Sequence, residues 1–356
     1  MNLVLNLTEQ CNLRCSYCYY AETQPERLFS MSEDTLERAI ALGWQRSLDL
    51  GQRFLNITFF GGEPLLCKER ILLGMELARH YQPKDTKLRF AVNTNGTLLD
   101  EFWLNLFAKE NFRVFLSLDG PREVHDAQRS GADGTGSFDR IAPWIPRLTC
   151  LDTVGIRVIT KHHLNDIASS VKWIREQGFS KITTAVDFDG KWTGDAMDAL
   201  AREYRILAAF WVQRKKASDP FYLGVLQDKM RLELENMSYK KKTCNILEGA
   251  LAVSAKGDLF PCTRFVSCAP NAPYRLGSVF TGIDESTTEE IRHHLTHDKE
   301  CCGDCALKTR CIAHECACIS FYTTGGLSDV SAEVCAHERM LAEICDAAAL
   351  ELMNTP

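Results

Sequence analysis

An α/β fold with a parallel sheet is predicted by three features of the sequence. Short β-rich runs alternate with amphipathic stretches through the first half, the alternation breaks near residue 193, and cysteines crowd the C-terminal half. Six strand–helix alternations imply right-handed crossovers between parallel strands, in an open sheet or a partial barrel.

The runs are NLVLNL (2–7), FLNITFF (54–60), LRFAVNT (88–94), RVFLSL (113–118), VGIRVIT (154–160) and KITTAV (181–186). Between the first two lies SEDTLERAIALGWQRSL (32–48), where Leu36, Ile40, Ala41, Trp44 and Leu48 recur at helical spacing. Ser32 with Thr35 makes a weak N-terminal cap, and Glu33 and Asp34 suit the first turn. Residues 195–237 are expected to be mainly helical, with DAMDALAREYRILAAFWVQRKK the clearest part. From residue 243 periodicity weakens, as in a small region ordered by bound metal. A helix from about Ala332 to Met353 closes the chain. The expected domains are therefore 1–192, a helical bridge over 193–242, a cysteine-rich region over 243–340, and the helix end at 341–356.

A chain of 356 residues has room for about two domains. Hydrophobic residues at 45% and charged residues at 25% exclude a disordered or membrane class. No apolar run approaches the ~18–20 residues of a span, and MNLVLNLTEQC has neither the positive segment nor the long apolar core of a secretory signal. The expectation is a cytoplasmic protein, where 16 cysteines are better explained by metal or cluster ligation than by disulfides. A net charge of −6 and a pI near 5.9 argue against nucleic acid as a partner, and no membrane partner is expected. The basic runs at 214–216 and 240–242 are read as solvated faces.

CNLRCSYCYY follows the first strand and supplies Cys11, Cys15 and Cys18, one thiol short of a four-coordinate site. A structural zinc site wants a fourth ligand, and the loop offers none; an iron–sulfur cluster can keep one iron open. The C-x3-C-x2-C spacing, with Tyr17 before the third cysteine, resembles the signature of the radical S-adenosylmethionine (SAM) superfamily. The resemblance implies a partial (β/α)6 barrel, and a [4Fe–4S] cluster whose unique iron binds SAM and yields a 5′-deoxyadenosyl radical. It also implies SAM contacts at Gly61, Gly62 and Glu63 of FFGGEP, Asn95 of NTNGT, Ser117 of SLDGP and Arg129 of HDAQR. Read alone, FFGGEP is equally a strand-to-helix turn with Pro64 near the helix start. Strand C-terminal ends are nevertheless where parallel α/β folds place their chemistry.

The second half resembles the SPASM extension of radical SAM enzymes, which holds two auxiliary [4Fe–4S] clusters and so brings the expected total to three. By that resemblance Cys244, Cys262 and Cys316 would ligate the first, and Cys302, Cys305, Cys311 and Cys335 the second. Cys316 falls one residue later than the usual spacing, so Cys318 competes with it. For the fourth ligand of the first cluster Cys268 is the leading candidate, with Cys318 or an open iron as alternatives. Without the first motif the same cysteines would read as zinc ribbons in a zinc-stabilised binding module. Cys67, Cys150 and Cys345 are expected to be buried small hydrophobes, and Cys301 has no assigned role.

Both halves together resemble the peptide- and protein-modifying branch of the superfamily. The expected function is a radical SAM maturase that installs a thioether or carbon–carbon crosslink, or a related modification, in a ribosomally made peptide. Sulfatase-maturing relatives carry an aspartate base after the cysteine aligned with Cys262, but here Thr263 follows, and its hydroxyl is a poor base. Formylglycine formation is therefore the alternative. The expected partners are the peptide and an external one-electron reductant; because the first strand starts at residue 2, leader recognition is expected from the barrel, the bridge or a separate leader-binding protein. No catalytic base is identified; Asp187, Asp189 and Trp192 are read as cavity residues or as ordinary loop residues.

Overall fold

The computed structural model describes residues 1–18, 29–234, 246–266, 272–296 and 299–354. Strands β1 (Asn2–Thr8), β2 (Phe54–Gly61), β3 (Lys87–Thr94) and β4 (Arg113–Ser117) are separated by helices α1 (Glu33–Asp49), α2 (Lys68–His80) and α3 (Glu101–Lys109). The alternation continues through α4 (Arg122–Gln128), β5 (Asp152–Ile159), α5 (Ile167–Glu176), β6 (Lys181–Val186), α6 (Gly194–Lys216), β7 (Tyr222–Leu223) and α7 (Gly224–Leu234). Four short strands come next: β8 (Ala250–Val253), β9 (Asp258–Phe260), β10 (Gly277–Ser278) and β11 (Gly282–Ile283). Helices α8 (Glu285–Thr296), α9 (Ala317–Thr324) and α10 (Ala332–Met353) complete the chain. All six strands expected in the first half form, and the last helix runs unbroken through residue 340.

The chain divides into two compact units, each discontinuous in sequence. The first comprises Met1–Ser117, Arg129–Thr153 and Asn245–His293; the second comprises Leu118–Gln128, Val154–Cys244 and His294–Pro356.

In the first unit the strands lie in the order β11-β10-β9-β8-β1-β2-β3-β4. From β8 to β4 neighbours are parallel, while β8, β9, β10 and β11 pair antiparallel. Leu3, Leu5 and Leu7 of β1 and Leu55, Ile57 and Phe59 of β2 are fully buried, each set on the period of two that lines one sheet face. Phe59, Phe90 and Phe112 stack across this core at centroid distances of 5.4 to 6.2 Å. Helix α1 is capped by the Ser32 hydroxyl, which accepts from Thr35 N at 3.1 Å. It buries Leu36, Ile40 and Trp44, and the Trp44 indole donates to Ala78 O of α2 at 2.9 Å.

Two expectations for single residues fail in this unit. Leu48 is 45% exposed, because the last turn of α1 turns Ser47 inward instead, where its hydroxyl donates to Phe54 O at 2.7 Å. Cys150 is exposed on the turn before β5, its thiol directed at Pro146 O at 3.4 Å. Cys67 is half-buried, whereas Cys345 in the second unit is fully buried, as expected.

In the second unit β5, β6 and β7 pair in parallel. Helix α6, capped by Thr193, packs along α10, where the Tyr204 hydroxyl meets His337 Nε2 at 3.1 Å. The 214–216 run behaves as a charged surface: Arg214 pairs with Asp219, and Lys216 with Glu351. The 240–242 run lies outside the described residues. Among the described residues no helix is long and apolar enough to cross a membrane.

Candidate active site

The first unit places four expected segments at one edge. Because β1 to β4 are adjacent and parallel, the cysteine loop after β1, Gly61–Glu63 after β2, Asn95 after β3 and Ser117 at the end of β4 all emerge at the same end of the sheet. The β3–β4 register pairs Thr94 with Leu116, which sets Asn95 level with Ser117.

Within the loop, the Cys11 sulfur accepts from Leu13 N at 3.4 Å and from Asn95 Nδ2 at 3.8 Å. Asn95 is held in turn by Asn12 Oδ1 at 3.0 Å and by the Thr97 amide and hydroxyl at 2.9 and 2.7 Å. Arg129, 5% exposed, points Nη1 at the Cys15 sulfur at 4.0 Å, and its guanidinium lies 5.2 Å from the centre of the Tyr17 ring. Donors therefore converge on two of the three loop thiols. Asn12 was not singled out from sequence; its position between two cysteine-motif residues was the available signal.

Gly61 and Gly62 allow a close backbone approach. A Cβ on Gly61 would stand 2.3 Å from Thr8 O, and one on Gly62 only 2.2 Å from Gln10 O. The glycines let the end of β2 press against the backbone entering the cysteine loop, and Gly62 N donates to Thr8 O at 2.8 Å. Glu63 then turns fully inward, accepting from Leu65 N at 3.0 Å, Thr94 Oγ1 at 2.8 Å and Asn95 N at 2.8 Å. Burial drives its carboxyl up to about 7 despite these three donors. Among the described residues no cation pairs with it.

These residues fit the group that the motif implies. Three thiols in one loop, with N–H donors aimed at sulfur, suit a cluster that leaves one iron open. A buried carboxylate without a cation suits a ligand that brings an ammonium and a sulfonium, and Arg129 suits the carboxylate of the same ligand.

The second unit gathers the other cysteines. Cys302, Cys305, Cys311 and Cys335 line one cavity of about 200 Å³, together with Cys301, His314 and Glu338. The four expected ligands of the second auxiliary cluster thus line the same cavity, and so does Cys301, its sulfur 3.9 Å from that of Cys302. Burial drives the Cys302 thiol up to about 12 and that of Cys311 up to about 11, so without a metal both stay protonated. Among the described residues no three Cys, His, Asp or Glu side chains stand close enough to hold a single metal ion.

The Cys311 segment is held by buried charge that sequence reasoning missed. Lys229 Nζ of α7 donates to Arg310 O at 2.5 Å and pairs with Glu338 at 2.5 Å, and Glu338 accepts from Ile312 N at 2.6 Å. Burial opposes ionisation of Glu338, but the His337 hydrogen bond and the Lys229 charge overcome it and hold the carboxyl down to about 2. Lys229, Glu338 and Lys299 belong to no motif, which is why the sequence did not reveal them.

Cys316 and Cys318 are both buried with sulfurs 3.1 Å apart, and the hydrogen bond with Cys318 pulls the Cys316 thiol down to about 7 against its burial. Cys262, on the turn after β9 in the first unit, is half-buried, and so is Thr263. Cys244 and Cys268 lie outside the described residues. Asp187 caps a short turn by accepting from Asp189 N at 3.2 Å, and the Trp192 indole donates to Asp187 O at 2.7 Å.

Comparison with known proteins gives this geometry a family. The radical SAM superfamily matches residues 5–201, more than half of the chain. The cysteine-type anaerobic sulfatase-maturating enzyme of Clostridium perfringens (strain 13) is 33% identical over 147 residues, 39% of this chain and 38% of that protein. The chain thus spans about two-fifths of the length of that relative. The serine-type anaerobic sulfatase-maturating enzyme of Klebsiella aerogenes is 31% identical over 318 residues, 85% of this chain and 76% of that protein. Native anSMEcpe with bound AdoMet shares the fold, with a TM-score of 0.83 at 20% identity over 99% of this chain and 100% of that one. The same protein is also solved with AdoMet and the Kp18Cys peptide, with a TM-score of 0.81 at 20% identity over 99% and 98% of the two chains. The loop cysteines, the glycine turn and the parallel sheet thus have a common origin: the chain belongs to the radical SAM superfamily.

Proposed function

We propose that this chain is a radical SAM maturase that takes a hydrogen atom from a ribosomally made peptide and installs a crosslink or a related oxidation. The observation that carries the reading is the convergence of Arg129 and Asn95 on the thiols of the Cys11–Cys18 loop, with buried Glu63 beside them. When bound, the cluster and SAM supply one-electron chemistry that generates a 5′-deoxyadenosyl radical. Cys11, Cys15 and Cys18 would hold the cluster, Asn95 and Leu13 N would stabilise the Cys11 thiolate, and Arg129 and Glu63 would orient the two charged ends of SAM. Gly61, Gly62, Tyr17 and Ser117 would shape the same pocket.

In the second half, Cys302, Cys305, Cys311 and Cys335 are proposed to hold one auxiliary cluster. Cys244, Cys262 and Cys316 would hold another, with Cys268 or Cys318 as fourth ligand. The shared cavity of the first group supports the assignment. A peptide partner is supported by the maturation activity named for the relatives, and an external reductant must supply the electron. Recognition by a separate leader-binding protein, and a cytoplasmic site of action, belong to the same reading.

Formylglycine formation is a second reading, favoured by the names of the two curated relatives and opposed by Thr263, which offers a hydroxyl in place of a carboxylate base. The test is co-expression with the short peptide encoded beside this chain, followed by mass spectrometry. A loss of two hydrogens that joins two residues and leaves no aldehyde at serine supports the crosslinking reading, whereas the same loss confined to one serine, as an aldehyde, supports formylglycine formation. A cysteine that gains oxygen and loses hydrogen sulfide establishes the second reading instead, and a colourless, zinc-loaded protein contradicts both.

A further inference from the structure

Among the described residues of the second unit two lysines are buried, and their surroundings differ. Lys229 is 7% exposed and is neutralised by Glu338. Lys299, 5% exposed, meets only neutral acceptors among the described residues: Ala313 O at 2.8 Å, Asp329 O at 3.3 Å and the Ser320 hydroxyl. A buried ammonium without an anion is costly, and proteins seldom retain one unless a negative group comes to it.

The placement of Lys299 indicates which group that is. Its backbone carbonyl accepts from Cys302 N at 2.8 Å. The Ala313 carbonyl it binds lies between Cys311 and Cys316, and the Ser320 hydroxyl it also binds donates to Cys316 O at 3.2 Å. One cation is therefore hydrogen-bonded into the segments that carry Cys302, Cys311 and Cys316.

Other cations near these segments are placed differently. Arg310 is occupied by Asp346 at 2.7 Å through both guanidinium arms; Lys308, which lines the cavity, donates to Gly303 O at 3.2 Å; and Arg339, which also lines it and bonds the Cys335 side chain, is exposed, where water and salt weaken its field. A cluster of four irons and four sulfides on four thiolates carries net negative charge, and reduction adds one more. A fixed positive charge in a low-dielectric site favours the reduced form.

We propose that Lys299 is the buried counter-charge of the iron–sulfur site formed by Cys302, Cys305, Cys311 and Cys335 and holds its reduction potential above the value that the thiolates alone would give. The inference rests on the proposed auxiliary ligand assignment, and its test separates the two. Full-length protein carrying Ala at Cys11, Cys15 and Cys18 is loaded with iron and sulfide anaerobically, so that only auxiliary sites report. It is then titrated with dithionite while the reduced clusters are followed by electron paramagnetic resonance. Lys299→Met and Lys299→Gln should lower the reduced-to-oxidised ratio at fixed potential at least tenfold, which is about 59 mV for a one-electron couple. Lys299→Arg should stay within threefold of the parent. Should the neutral variants fail to load iron while the arginine variant loads fully, the charge requirement is met in its strongest form. Unchanged midpoints in loaded neutral variants overturn the proposal, as does loss of auxiliary iron in all three, which would leave Lys299 a purely structural part. A parent protein that binds no iron in this background would remove the auxiliary assignment itself, and the inference with it.

Discussion

Glu63 carries the sharpest prediction at the residue scale. Its carboxyl sits near pH 7 because burial outweighs three hydrogen-bond donors, so it gains charge as the pH rises through that range. An ionised Glu63 attracts a cation and a protonated one does not. SAM affinity of the iron-loaded protein, measured by calorimetry, should therefore strengthen from pH 6 to pH 8. Glu63→Gln should bind more weakly and lose that pH dependence; a parallel rise in the variant would remove Glu63 from the SAM site. Replacement of Cys15 by Ala should eliminate iron from the N-terminal site, seen as a loss of about four irons per chain against the parent. The thiols were legible in the sequence because their spacing resembles the superfamily's signature and the motifs after the next strands accompany it. The carboxyl's fully inward setting was not, because it depends on Thr94 and Asn95, which arrive from another strand.

At the scale of elements, the glycine turn and the buried ion pair decide how the two cysteine regions are held. Gly62→Ala would force a Cβ against Gln10 O, a backbone atom that cannot swing aside. The change should destabilise the protein by about 1–3 kcal/mol and displace the cysteine loop, whereas Gly194→Ala, with open space around it, should leave the thermal midpoint unchanged. Lys229→Met would leave Glu338 buried without its cation, an expected loss of about 3–5 kcal/mol in chemical denaturation. Pairing it with Glu338→Leu should recover much of that loss, since a buried pair replaced by apolar groups is often neutral. Strand and helix positions were readable from periodicity. The exceptions have local causes: Leu48 is displaced by the inward hydrogen bonds of Ser47, and Cys150 sits on a turn that the core does not reach. Lys229, Glu338 and Lys299 were invisible because nothing in their own neighbourhoods marks a charge as buried.

For the whole molecule, the order of motifs along the chain was informative because each comes after a strand of one parallel sheet, and adjacency of β1 to β4 turns sequence order into one edge. The cysteine-rich half was less legible. Its ligand spacing departs at Cys316, and only the structure shows that Cys318 lies against it. Function as a maturase requires that the N-terminal loop perform reductive SAM cleavage. The most direct measurement is 5′-deoxyadenosine formation by the anaerobically iron-loaded chain with SAM and dithionite, compared with its Cys15→Ala variant. Equimolar 5′-deoxyadenosine and methionine are expected from the parent and neither from the variant. Equal product from both, or no product from a parent that carries its full complement of iron, would contradict a role for this loop in SAM cleavage.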